Sequence, residues 1–157
     1  MAASPLDDLL QPSLGGAVRR RAPYSSTTGF LASFFGGPLA ALVMAVLDSH
    51  RLGRLRRDAA WIAAAALGIV AFEAALRRTA PGQAFVSELH DLLGSAGEVT
   101  LFRLLGLAVF ALASHVTRFE RRSAQLMGVE SPNGWLVGLP LALGGPTAHR
   151  LLLGWLA

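Results

Sequence analysis

The chain has no cysteine, which excludes a disulfide scaffold, a thiol enzyme and a Cys-ligated zinc site. It has no lysine either, so all 14 of its cations are arginine. Charged residues make up only 15% of the 157 positions, where a soluble domain carries about 25%. A water-facing surface of this size would be short of polar groups, while 53% hydrophobic content excludes a disordered chain. Catalytic signatures are missing as well. There is no nucleophile elbow, phosphate loop, HExxH or paired-carboxylate arrangement.

What is present is a set of four apolar blocks, at 28–47, 59–76, 99–116 and 134–157. Each is close to the ~20 residues that carry a helix across a bilayer. Backbone polar groups in hydrocarbon must be satisfied within their own segment, so the fold class is all-α, a transmembrane bundle of four helices. The third helix is expected to continue as a polar extension to about 122–128. The fourth contains Pro140 and Gly144-Gly145-Pro146 and is expected to be kinked or broken near 144–146. Asp58 opens the second block as an N-cap or first-turn acid.

Between the second and third blocks, Phe85, Leu89 and Leu92 recur at helical spacing and Gly94 ends the pattern. A short amphipathic surface helix over about 83–93, behind a Pro81-Gly82 turn, fits this stretch. Residues 1–27 mix prolines, glycines and a Ser-Ser-Thr-Thr run and read as a flexible N-terminal tail. Residues 28–157 form a single transmembrane helical domain. Arg19–Arg21 ahead of the first block invite a signal-peptide reading, but a polar insert and the central Gly36-Gly37-Pro38 favour a retained span.

The pI of such an arginine-rich chain would suggest nucleic acid in a soluble protein. Here the arginines cluster at block ends, where they anchor and orient membrane helices, and no nucleic-acid partner is expected. Loops 48–58 and 117–133 hold four and three arginines, against three in the tail and two at 77–98. Seven against five places the two loops in the cytoplasm and both termini outside. Arg54, Arg56, Arg57, Arg121 and Arg122 are then interface anchors, with Trp61 and Trp135 at the cytoplasmic boundary and Trp155 at the other.

The first span carries small residues at i, i+4 spacing, Ala32-Gly36-Ala40 and Ser33-Gly37-Ala41-Ala45, and the second offers Ala60-Ala64-Gly68. Such ridges let helix backbones approach closely, so Gly36, Gly37, Pro38, Ala40, Ala41 and Gly68 are expected packing positions, with a kink at Pro38. The Gly-Gly-Pro triplet occurs twice, at 36–38 and 144–146. The surrounding spacing is unequal, and coincidence explains the repetition better than an inverted repeat.

Ionisable residues inside spans are the functional candidates. Glu73, Arg103, His149 and Arg150 fall at a shared, non-cytoplasmic level, where a Glu73–Arg103 pair would satisfy both charges and His149 would make the group proton-responsive. The structural alternative is anchoring, with Glu73 paired to Arg77 on its own helix. His115 reads as an interfacial histidine. Glu88, His90 and Asp91 are the one cluster of metal-ligand types, and their spacing does not put them on one face, so no metal and no cofactor are expected.

Phe34-Phe35-Gly36-Gly37-Pro38-Leu39-Ala40, followed by Arg51-Leu52-Gly53-Arg54 and an Ala-rich second span, resembles a group of small bacterial multi-pass membrane proteins. The last span, opening at Trp135, is similar too. The resemblance implies a bacterial cytoplasmic-membrane protein and carries no activity with it. The function expected is that of a non-enzymatic integral membrane protein, an accessory or assembly subunit whose partners are the lipid bilayer and a larger membrane complex. A small transporter or channel using the Glu73, Arg103 and His149 level is the alternative, and a lipid-modifying membrane enzyme the third.

Overall fold

The computed structural model describes residues 22–156, apart from the side chains at 152, 153, 155 and 156. Residues 1–21 of the tail expected over 1–27, and the Trp155 anchor, lie outside what is described; Ser26 and Thr27, expected in that tail, belong to the first helix. The described chain is helical, with no strand: α1 Ser26–Arg51, α2 Leu55–Arg78, α3 Ala80–Leu93, α4 Ala96–Val116, α5 Arg118–Leu126 and α6 Trp135–Leu156. Three of these, α1, α2 and α4, are long and apolar enough to cross a membrane. The fourth expected span is also a helix, α6, but the helices of crossing length and composition among the described residues number three, not four.

The most consequential departure from the expected bundle is in α1. Gly37 has φ 70° and ψ −160°, a backbone conformation open essentially only to glycine. Pro38 follows, and its fixed φ and missing N–H suit the first position of a new helical segment. The break is no mild kink. The Tyr24 backbone N–H donates to Asp48 Oδ1 at 2.7 Å, and the Arg51 guanidinium lies 4.7 Å from the Tyr24 ring centroid. A straight helix would hold Ser26 and Asp48 roughly 33 Å apart. The chain therefore reverses at Gly37, and α1 is a hairpin of two antiparallel arms, 26–36 and 38–51. The arms span only about 16 and 21 Å, short of the ~30 Å hydrocarbon core.

The remaining helices are arranged around this hairpin, which supplies most of the interior. Fourteen residues of α1 are buried, nearly all small, against two of α2. α4 runs antiparallel to the first arm: Phe110 lies against Gly29, and Gly106 against Ser33 and Gly37. α6 runs parallel to that arm, with Gly138 on Thr28 and Gly145 on Gly36. α2 packs Ile69 against Ala41 and Leu42 of the second arm, with Val109 of α4 closing the cluster.

Glycine is required at these crossings because backbone meets backbone. A Cβ on Gly36 would strike the Leu141 carbonyl, one on Gly145 the Gly36 carbonyl, and one on Gly37 the Phe102 ring. The two Gly-Gly-Pro triplets thus face one another at the α1–α6 crossing, and their repetition has a packing basis. Gly68 differs: it has open space where a Cβ would go, so its ridge on α2 is not used inside the chain.

Smaller corrections follow the same logic. α6 is a single helix from Trp135 to Leu156 with both prolines inside it, so the fourth span is not broken near 144–146. The polar extension of the third block is a separate helix, α5, because the helix ends at Thr117. α3 starts at Ala80, earlier than expected, because Pro81 sits in its first turn and Thr79 caps it, accepting from Gly82 N–H at 3.1 Å. Finally, residues 22–25 lie beside loops 48–58 and 117–133, not beside 77–98 as two full crossings would require.

Two measurements check this architecture. The chain lacks cysteine, so a Tyr24→Cys/Arg51→Cys variant is expected to be cross-linked by a short bis-maleimide. An unbroken helix would separate the pair by about 40 Å and give no product. Gly36→Ala and Gly145→Ala are each expected to destabilise the folded state by about 1–3 kcal/mol through overpacking, seen as a lower melting temperature in detergent, while Gly68→Ala leaves it unchanged.

Candidate functional site

Two polar clusters occupy opposite ends of the hairpin. At its mouth, both arms end among the connections 52–54 and 117. Asp48 accepts from Tyr24 N–H with one oxygen and from Arg121 Nη2, at 3.0 Å, with the other. The same guanidinium donates to the Tyr24 carbonyl at 3.0 Å, Ser26 Oγ at 2.9 Å and Thr117 Oγ1 at 3.2 Å. Asp58, 1% exposed, accepts from Ser49 Oγ at 2.8 Å and Arg54 Nη2 at 3.3 Å. Of the two roles expected for it, Asp58 is the first-turn acid of α2 and not its N-cap, a position held by Arg54. Arg54 also forms an ion pair with Glu120 of α5, and Arg51 donates to the Ala22 carbonyl at 3.4 Å.

This mouth cluster is structural. Every buried carboxylate in it is bonded to elements it holds together, and its planar Arg121 fork serves four acceptors at once. Arg54 and Arg121, expected to be interface anchors, are its central cations. Arg56, Arg57 and Arg122 are exposed. Trp135 is half-exposed, whereas Trp61 is partly covered and its indole N–H has no partner.

The second cluster lies beyond the hairpin tip, where α2, α4 and α6 continue past Gly37. A cavity of about 890 Å³ opens there, bounded by Phe35 of the tip and by residues of α2, α3, α4 and α6. Glu73, Arg103, His149 and Arg150 all line it, but not in the expected pairing. Glu73 Oε1 is 3.2 Å from His149 Nε2, and its other oxygen is 3.8 Å from Arg77 Nε. Arg103 instead lies over the Phe34 and Phe35 rings, 4.9 and 5.8 Å from their centroids. Cation–π attraction holds its charge at the tip without a carboxylate.

His149 is the most constrained of the four. It is 6% exposed, its ring is 4.7 Å from that of Phe102, and its Nδ1 has no hydrogen-bond partner. It is also a bridge, because α2 and α6 do not otherwise pack extensively. Glu73–His149 is the ion-pairing contact that ties them across the cavity. His90 and Glu98 reach the cavity from α3 and α4. Among the described residues no group of three His, Asp or Glu converges as a metal site, and Glu88, His90 and Asp91 do not come together as one. His115 is exposed.

Sequence reasoning found the residues of the cavity from their place in apolar blocks, and missed the mouth. Asp48 and Asp58 were the signal available: two acids beside a basic loop, each at the edge of an apolar block. Comparison with protein-family models, curated proteins and solved structures finds no match to this chain.

The mouth cluster yields its own test. Removing Arg121 leaves Asp48 buried without its cation, so Arg121→Ala is expected to cost about 3–5 kcal/mol. Arg56→Ala, at an exposed residue, should stay within about 0.5 kcal/mol. Thermal melts in detergent separate the two.

Proposed function

We propose that the chain is an integral membrane protein of the small-transporter or channel type, with the tip cavity as its solute site. The observation that supports this is the Glu73–His149 pair: a nine-tenths buried histidine, bonded to a carboxylate and left with a free ring nitrogen, on the wall of a cavity. Ionisable groups at such depth are costly and are retained in membrane proteins chiefly along solute and proton paths. Irregular backbone at membrane depth is tolerated where protein buries it or where it lines a cavity, and the Gly37 reversal stands at that boundary. In this reading α2, α4 and α6 cross the bilayer and α1 is re-entrant, completing the four-element bundle.

The hairpin also sharpens the orientation. Its mouth gathers loops 48–58 and 117–133 with Ala22 and Tyr24. Those two loops hold seven arginines, against two at 77–98, which favours the mouth as the cytoplasmic face of a bacterial inner membrane. An accessory role in a larger complex is the second reading. It is favoured by the exposed Ala60-Ala64-Gly68 ridge of α2, which the chain's own helices leave uncovered.

Proton entry into proteoliposomes loaded with a pH-sensitive dye tests the transport reading. Wild-type vesicles under an imposed pH gradient should acidify faster than protein-free ones, and Glu73→Gln or His149→Phe should slow this by at least about tenfold. Wild-type vesicles no faster than protein-free ones would sink the transport reading.

A further inference from the structure

The tip cavity has a charge pattern and a shape that select among solutes. Its cationic side chains are Arg77, Arg103 and Arg150, and its carboxylates are Glu73 and Glu98. Glu73 is already engaged by His149 and Arg77. Among the described residues neither Arg103 nor Arg150 has an ion-pair partner: Arg103 rests on phenyl faces and Arg150 is exposed. His149 Nδ1 adds a buried, unpartnered hydrogen-bonding atom on the same wall. Beside this polar group, Phe35, Leu76, Val86, Val99, Phe102 and Leu105 give the lining an apolar stretch, while Gln83, Ser87 and His90 line the α3 side.

From this geometry we infer that the cavity binds an amphiphilic anion, a carboxylate or phosphate head on an apolar body. The head sits between Arg103 and Arg150 against His149, and the body lies along the Phe102 and Leu105 side. The size agrees, since about 890 Å³ is within the roughly 300–1,000 Å³ typical of sites for drug-sized molecules and far exceeds a bare ion. Two guanidiniums outside any ion pair among the described residues, against the single carboxylate Glu98 that is likewise outside one, favour an anion over a cation of the same shape. The apolar remainder favours an amphiphile over a free inorganic anion. The wall facing the bilayer supplies the route: α2 and α6 are joined across the cavity by Glu73–His149 without extensive packing. The exposed Phe85, Leu92 and Leu93 of α3 border the same end.

The inference rests on the cavity being the working site, and binding tests it separately from flux. The full chain in nanodiscs of phosphatidylcholine is titrated calorimetrically with octyl phosphate, octanoate, octyltrimethylammonium and inorganic phosphate. At least one of the two anionic amphiphiles should bind about tenfold or more tightly than the cation and than inorganic phosphate. Arg150→Gln and Arg103→Gln should each weaken it about tenfold, the loss of roughly 1.4 kcal/mol, and Arg150→Lys should recover part of the loss. Arg150 is exposed, so its variants keep the test independent of folding defects at Arg103. Equal binding of cation and anion, inorganic phosphate matching octyl phosphate, absence of binding, or wild-type affinity in Arg150→Gln would each overturn the inference. Binding without proton flux would refute transport and leave the ligand class standing; flux without binding would do the reverse.

Discussion

A chain that reverses direction among apolar helices exposes peptide groups that have no water to bond, and the organisation of this protein follows from shielding one such reversal. Gly37 supplies a conformation closed to other residues, and Pro38 removes one N–H that would otherwise need a partner. Screening is completed by approach. Phe102 covers the Gly37 Cα, while Gly106 and Gly145 bring α4 and α6 into direct backbone contact with the first arm. Dispersion between close-set backbones, not a large hydrophobic core, holds this junction.

The polar groups follow a matching economy. With so few charges in the sequence, the described acids of the inner network at the mouth are each tied to more than one element. Asp48 joins the two arms to α5 through Arg121, and Asp58 joins the second arm to α2 through Ser49. Such pairs gain little stability over apolar replacements of equal shape, but removal of one partner is costly, so they fix which ends meet. At the tip the arrangement is looser. Arg103 and Arg150 carry unneutralised charge, and His149 keeps a spare nitrogen. One end of the molecule is closed by its polar residues and the other is left chemically open.

Helical class, the places of the elements and the small-residue ridges were legible in the sequence, because period, caps and block length are local properties. Glu73, Arg103, His149 and Arg150 were recognisable as a level for the same reason: depth follows from distance along a helix. Their pairing was not, since Arg103 finds Phe34 and Phe35 only once the hairpin places those rings beside it. The hairpin itself escaped because block 28–47 has the length of a crossing, and length cannot tell one long helix from two short arms. Gly36-Gly37-Pro38 marked the position but not the angle. Only the approach of Tyr24 to Asp48, a contact between residues far apart in sequence, fixes it.

Because Tyr24 and Asp48 close the hairpin on one face, the segment's insertion differs from that of an ordinary crossing. A spanning helix requires one polar flank to be carried through hydrocarbon. A hairpin whose two ends stay together needs only its tip to enter, and that tip is Phe34-Phe35-Gly36-Gly37-Pro38, with no charge in it. In the proposed re-entrant arrangement, Arg51 and Arg54, with their heavy cost of desolvation, would stay on one face of the membrane. The first apolar segment would then settle into place without translocating its flanks, a preformed wedge against which α4 and α6 close.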